Sequence, residues 1–218
     1  MTNLTQKVWR LIDADPSLRT DIARGVINSR ALAKYILEQI EEPASLNAVI
    51  SAVRRYRPEE RAPNTISAAI KTLKGTTISS KSGIAGILLE KDPDTERLLP
   101  KVFALVKISR SEVLRIVQAN KAILIVIDEK NLDKVKKIFP PSKIKRVERG
   151  LAEINLELDE KSWETPGIVA AISAELAARG INLEEFMSCM PEILMLFKEQ
   201  YLMKAHEVLY ELVRKNGK

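Results

Sequence analysis

Trp163-Glu164-Thr165-Pro166-Gly167-Ile168-Val169, running on to Gly180-Ile181-Asn182-Leu183, is the stretch on which the reading of the fold depends. Thr165 is a residue type that caps helices, and Pro166 suits a first helical position. Gly167 leaves space for another group to approach exposed backbone N–H groups. The helix so begun carries an apolar stripe of Ile168, Ile172 and Leu176 with Ala177 beside it, and Gly180 stands where a C-cap glycine belongs. Working outward, strands are expected over residues 151–158, 181–188 and 192–198, with a second helix over 202–213. The order β-α-β-β-α is a split βαβ, ferredoxin-like unit. It lacks a clear final strand, because only Arg214-Lys215-Asn216-Gly217-Lys218 follow the second helix.

The middle third repeats this order. Strands are expected over 84–90, 113–118 and 122–128, and helices over 95–106, interrupted by Pro100, and 131–139. A further strand over 143–147 precedes the second unit. The repeat is architectural more than a repeat of residues. In the first unit the loop matching 163–167 is Lys91-Asp92-Pro93-Asp94, with two carboxylates and no glycine. Those charges would repel an anion, so this loop is expected to be structural. Residues 76–80 and 84–90 are both strand-like and are split by Lys81-Ser82-Gly83. They form either a wing hairpin or the opening of the sheet, and residues 76–80 could supply the missing last strand of the second unit.

A strand, a loop ending in Pro166-Gly167-Ile168-Val169, a helix, then Gly180-Ile181-Asn182-Leu183 and a hairpin resembles an ACT domain of the aspartokinase kind. The resemblance implies a regulatory module that senses an amino acid. It places the effector against Glu164, Thr165, Pro166, Gly167, Ile168, Val169 and Asn182, across an interface between two such domains. Strand exchange between tandem copies is also a property of aspartokinases, and the sheets commonly pair edge to edge, so a homodimer is expected.

The first 75 residues read as helical. Leu4, Val8, Leu11 and Ile12 make one stripe, ending near Asp15-Pro16, and residues 17–27 make a second helix. Ser29 is placed to cap a third helix with apolar Leu32, Ala33, Ile36, Leu37 and Ile40. A turn of about four residues at Glu41-Glu42-Pro43-Ala44 leads to a fourth helix capped by Ser45. Such a pair is a helix-turn-helix candidate resembling a winged-helix motif. With Leu46, Val49, Ile50 and Val53 buried, Asn47, Ser51, Arg54 and Arg55 point outward. Arginine and asparagine are the types that read base edges in double-stranded DNA. Equally, arginines at a helix C-terminus complement its dipole.

Composition narrows the classes. The net charge is +6, and residues 1–75 hold twelve Lys/Arg against eight Asp/Glu, while the remaining residues hold 23 against 21. The basic excess therefore lies mostly in the helical part, which suits an anionic partner. One cysteine, Cys189, excludes an internal disulfide, and one histidine, His206, leaves too few ligands for a zinc site. Cys189 is expected to be a buried, inert thiol, and the methionines around it to fill core. No nucleophile–base pair, phosphate-binding glycine loop or metal set is present, so no catalysis and no cofactor are expected. Neither a signal-peptide core nor an apolar run long enough for a membrane span occurs, and a cytoplasmic location is expected.

The resulting expectation is an α+β protein: a helical, helix-turn-helix-like domain over 1–75, then two ferredoxin-like βαββαβ ACT-type domains over 76–149 and 150–218. It would be an amino-acid-responsive DNA-binding regulator. The alternative is a regulatory subunit that docks on an amino-acid biosynthetic enzyme.

Overall fold

A computed structural model describes residues 3–57, 65–107, 111–162 and 164–214. The chain divides into two compact units, Met1–Thr65 and Ile66–Lys218. The first contains α1 (Leu4–Ala14), α2 (Pro16–Ala23), α3 (Ser29–Leu37) and α4 (Leu46–Arg55). Side chains close the helix starts: Asp15 accepts from Ser17 and Leu18 N–H, and Ser45 Oγ accepts from Ala48 N–H at 3.2 Å. The cap of α3 is Asn28, one residue before the expected Ser29, and its Oδ1 accepts from Arg30 and Ala31 N–H. Val8, Ile12, Leu32, Ala33, Ile36, Val49, Ala52 and Val53 form the core of this unit. Trp9 Nε1 donates to the Ala52 carbonyl at 3.0 Å, fixing α1 against α4. The connection between α3 and α4 runs over residues 38–45, longer than the expected four, because α3 ends at Leu37 rather than extending through Ile40.

The second unit contains α5 (Thr65–Thr72), β1 (Thr77–Glu90), α6 (Pro93–Leu105), β2 (Leu114–Gln118), β3 (Ala122–Asp128), α7 (Leu132–Lys136), β4 (Ile144–Glu157), α8 (Ile168–Ala177), β5 (Glu185–Cys189), β6 (Glu192–Lys198) and α9 (Leu202–Arg214). The strands form one antiparallel sheet in the order β2-β3-β1-β4-β6-β5. Two breaks expected from the sequence are absent. Residues 77–81 and 84–90 run on as one strand, and so do 144–148 and 151–157. A bulge carries each strand through its glycine: Gly83 sits at φ 68° and Gly150 at φ 63°, where the pairing of β1 with β4 shifts register. No wing hairpin forms, since 77–81 and 84–90 do not pair with each other.

These two long strands each serve both halves of the sheet. Thr77↔Glu157 to Lys81↔Glu153 completes the half that holds β5 and β6, as expected for residues 76–80. Gly86↔Glu148 to Leu89↔Ile144 completes the half that holds β2 and β3. Ion pairs at the corresponding junctions have opposite polarity: Lys81–Asp128 at 2.7 Å on one side, and Lys198–Glu148 at 3.8 Å on the other.

Helices cover one face over two cores. Leu99, Val102, Leu132, Val135 and Phe139 pack on Ala85, Ile87, Ile123, Ile125 and Ile127. Ile168, Ile172, Leu176, Ala205, Leu209 and Leu212 pack on Ile154, Leu156, Ile193, Met195 and Phe197. Ala69 of α5 and Leu73 just after it belong to this second core, so the helical unit ends earlier than residue 75. The opposite face buries Ile84, Val113, Val126, Leu151 and Leu196 with no helix in the cluster. It does so by curling on itself. Arg115 of β2 is in register with Glu148 of β4, three strand spacings away, and Glu153 lies five residues further along, roughly 20 Å from Arg115 on a flat sheet, yet their side chains meet at 3.2 Å. Among the described residues no helix is long and apolar enough to cross a membrane.

Candidate functional site

The Pro166-Gly167 turn is where the sequence concentrated its signal. Gly167 adopts φ 94°, ψ −1°, the values of the third residue of a type II turn with proline before it. Its carbonyl accepts from Ala171 N–H at 2.8 Å, so Gly167 itself is the N-cap and α8 begins at Ile168. This corrects the expectation that Thr165 caps and Pro166 opens the helix. The turn needs a left-handed residue after the proline, which delays the helix, and Thr165 instead donates its N–H to the Ser162 carbonyl at 3.1 Å.

Ile168 is buried in the core while Val169 is 47% exposed. Ser162, Thr165, Gly167, Ile168, Val169, Ala170 and Met190 line a depression of about 520 Å³ at the start of α8. The first-turn N–H groups of a helix have no intrahelical partner and carry partial positive charge. A depression over them suits a carboxylate. Glu164 and Pro166 are exposed beside it and do not line it. Trp163 lies outside the described residues. Met190 comes from the β5–β6 connection, and no local signal pointed to it, because only the pairing of those strands carries that connection to α8.

The equivalent helix start in the other half is closed. Asp92 Oδ1 accepts from Thr95 N–H at 2.8 Å at the start of α6, and its other oxygen is ion-paired to Lys143. The Lys143 hydrogen bond, then that of Thr95 N–H, lowers the Asp92 pKa to about 2. Asp92 is thus a fixed anion built into the cap. The two halves differ chemically at the same place: one helix start holds its own carboxylate, the other has a glycine.

Asn182 is not brought to this depression. It is exposed and follows α8 at the end opposite Gly167, and a ten-residue helix spans about 15 Å. Its Nδ2 reaches Glu184 Oε1 at a weak 3.5 Å. The strand expected from 181 begins only at Glu185, since residues 181–184 form the loop after Gly180, itself at φ 67°. Cys189 is exposed at the end of β5, correcting the expectation of a buried thiol. The methionines divide: Met195 is buried, whereas Met190 and Met203 are exposed.

On α4, Asn47, Ser51, Arg54 and Arg55 are all exposed. Ser51 Oγ donates to the Asn47 carbonyl at 2.9 Å, turned back onto its own helix. Arg55 donates from Nε to the Ser51 carbonyl at 3.2 Å and from Nη2 to Thr5 Oγ1 at 3.1 Å. Arg54 stands beside it without an acidic residue anywhere on α4.

No protein-family model matches the sequence, and no curated protein matches it. Solved structures do resemble it. The ligand-free regulatory subunit of aspartate kinase from Thermus thermophilus matches at a TM-score of 0.51 with 15% identity, covering 64% of this chain and 99% of that one. The regulatory subunit from Thermus flavus gives 0.51 and 17% over 64% and 99%. Aspartate kinase from Synechocystis gives 0.53 and 15%, covering 79% of this chain but 32% of that enzyme. Over the 64% of the chain that these regulatory subunits match, it therefore shares their fold.

Proposed function

We propose that this chain is an amino-acid-responsive regulatory protein without catalytic activity of its own. Two ACT-like copies, broadly 76–149 and 150–218, exchange their final strands through β1 and β4. The effector's carboxylate sits on the first turn of α8, against Gly167, Ile168 and Val169, with Thr165 at the wall. The contrast between the two helix starts carries this reading. Where α6 is closed by Asp92, α8 begins at a glycine beside a depression of about 520 Å³. Glu164, Pro166 and Asn182 remain in the proposed set through the family resemblance. Because Asn182 and the turn lie at opposite ends of α8, one effector touches both only when they come from different copies. That favours a homodimer with the ligand at its interface.

Coverage of a whole regulatory subunit from Thermus thermophilus supports a sheet of this kind acting apart from a kinase domain. The partner of the helical unit is then either double-stranded DNA or an amino-acid biosynthetic enzyme. The exposed Asn47, Arg54 and Arg55 on a helix free of carboxylates favour DNA. Effector binding would shift that interaction by a typical ~1 to 3 kcal/mol.

A thermal-shift screen against the twenty amino acids tests the sensor reading. An effector at a hundred times its Kd adds about 2.7 kcal/mol, and one clear hit is expected. Absence of any shift would remove the effector and leave the sheet as a docking scaffold.

A further inference from the structure

The near-neutral sum over residues 76–218 conceals two oppositely charged halves. Residues 76–149 hold sixteen Lys/Arg against nine Asp/Glu, and residues 150–218 hold seven against twelve, so +7 and −5 share one compact unit. Ion pairing does not absorb the excess. Eight of the nine carboxylates in the first half already hold a cation, from Asp92 with Lys143 to Asp128 with Lys81. Seven lysines are left without a carboxylate partner among the described residues. Lys121 precedes β3 and Lys145 lies in β4. The other five belong to the helix layer: Lys101 in α6, Lys107 just after it, Lys134 and Lys136 in α7, and Lys137 at the C-cap of α7.

α6 and α7 turn these lysines outward because Leu99, Val102, Leu132 and Val135 are the residues they bury on the sheet. Lys101, Lys107, Lys134 and Lys137 are exposed, and Lys136 is half-buried. The charge is particular to this half. α7 and α9 both start at a leucine after a turn of 3-10 helix, Leu132 and Leu202, yet Lys136 and Lys137 stand where α9 has His206 and Glu207. Complementing the helix dipole accounts for the lysines of α7. It does not account for Lys101, which precedes the last turn of α6. Solubility asks for charge of either sign, and the second half meets that need with carboxylates.

We infer that this lysine face binds the phosphate backbone of double-stranded DNA without reading its sequence. Lysine is a flexible point charge that suits phosphate. It is depleted from protein–protein interfaces, whose anchors are tryptophan, tyrosine and arginine. Among the described residues, Phe103 is the one large apolar side chain exposed on α6 or α7. A single ring is too little to seat the face in a lipid surface or to stack the bases of a single strand. The acidic second half is repelled by the same polyanion, which orients the sheet unit with its first half toward the duplex. Neither the effector at α8 nor the arginines of α4 are needed for this contact.

Fluorescence anisotropy on the full chain tests it with two short DNA duplexes of unrelated sequence, titrated across salt concentration. The variant Lys134→Gln/Lys136→Gln/Lys137→Gln removes three charges at similar helix propensity. It is expected to bind both duplexes more weakly and to flatten the slope of log affinity against log salt by about 2.7, at ~0.9 per phosphate contact. Lys71→Gln/Lys74→Gln/Lys204→Gln makes the same change of net charge at exposed lysines outside this face and is expected to keep the wild-type slope. Should the first variant lose its thermal midpoint, Lys134→Gln alone replaces it, with a slope change of about 0.9. A wild-type slope in the folded α7 variant, an equal loss in the control, or no binding of either duplex at low salt would each overturn the inference. So would lysine-dependent binding to polyglutamate or phosphatidylserine vesicles in place of DNA, which would make the partner an acidic protein or a membrane.

Discussion

Val169→Asp puts a carboxylate where the effector's own carboxylate is proposed to sit. Val169 is in the first turn of α8, lines the depression and is 47% exposed, so the fold tolerates the change. Two effects of opposite sign follow. An acidic residue in a first helical turn stabilises the unliganded protein by about 0.3–1 kcal/mol. For a unit of this size that raises the thermal midpoint by roughly 1–4 °C. A second carboxylate about 5 Å away is repelled by ~1.5–3 kcal/mol, taking an effective dielectric between 20 and 40 for a half-exposed position. Effector affinity then falls roughly ten- to hundredfold. At a concentration a hundred times the wild-type Kd, the wild type gains about 2.7 kcal/mol, whereas the variant keeps ~0.4–1.4 kcal/mol. The assay is a thermal-shift titration with whichever of the twenty amino acids moves the wild type, with Val169→Asn as the neutral control. A variant whose unliganded midpoint rises while its ligand shift collapses is the expected result. A full wild-type shift in Val169→Asp would refute a carboxylate on this helix start.

Other expectations follow from the rest of the structure. Gly83→Ala and Gly150→Ala should each cost about 1–2 kcal/mol in urea unfolding, from the left-handed backbone alone, because nothing lies within 4 Å of an added Cβ. Asp92 has a folded pKa lowered from 3.8 to about 2. Its contribution is therefore complete above its unfolded pKa and lost as pH falls from about 4 toward 2. Asp92→Asn should flatten that part of an acid-unfolding curve. Arg115→Leu leaves Glu153 buried without its cation and should destabilise by about 3 kcal/mol at pH 7. Burial already raises the Glu153 pKa, with Arg115 opposing it, and removing Arg115 raises it further. The variant therefore recovers stability as pH falls through that pKa, which denaturation at pH 7 and pH 5 would read. If α4 reads DNA, Arg54→Ala with Arg55→Ala should lower affinity in a fluorescence-anisotropy assay and flatten its salt dependence by about 0.9 per lost phosphate contact. Equal affinity and slope would remove α4 as the reader.

The alternation and capping residues along the chain determined the order of elements in the sheet unit. β3 and β6 carry uninterrupted apolar runs, Ala122–Ile127 and Ile193–Phe197, and α9 follows its own helical stripe, because period and caps are local properties. The Pro166-Gly167 turn was legible for the same reason, and only its exact cap residue differed. Whether residues 77–81 and 84–90 fold back on each other or run on was not local. Gly83 permits either, and the partner strand decides, since the open backbone of 77–81 is satisfied by Glu153–Glu157 from the far half. The buried Glu153 was likewise invisible, because it occupies the position of Gly86 in the other half and meets Arg115 only once the sheet curls. Local pattern thus determined which elements form; long-range pairing and curl determined which of their side chains meet.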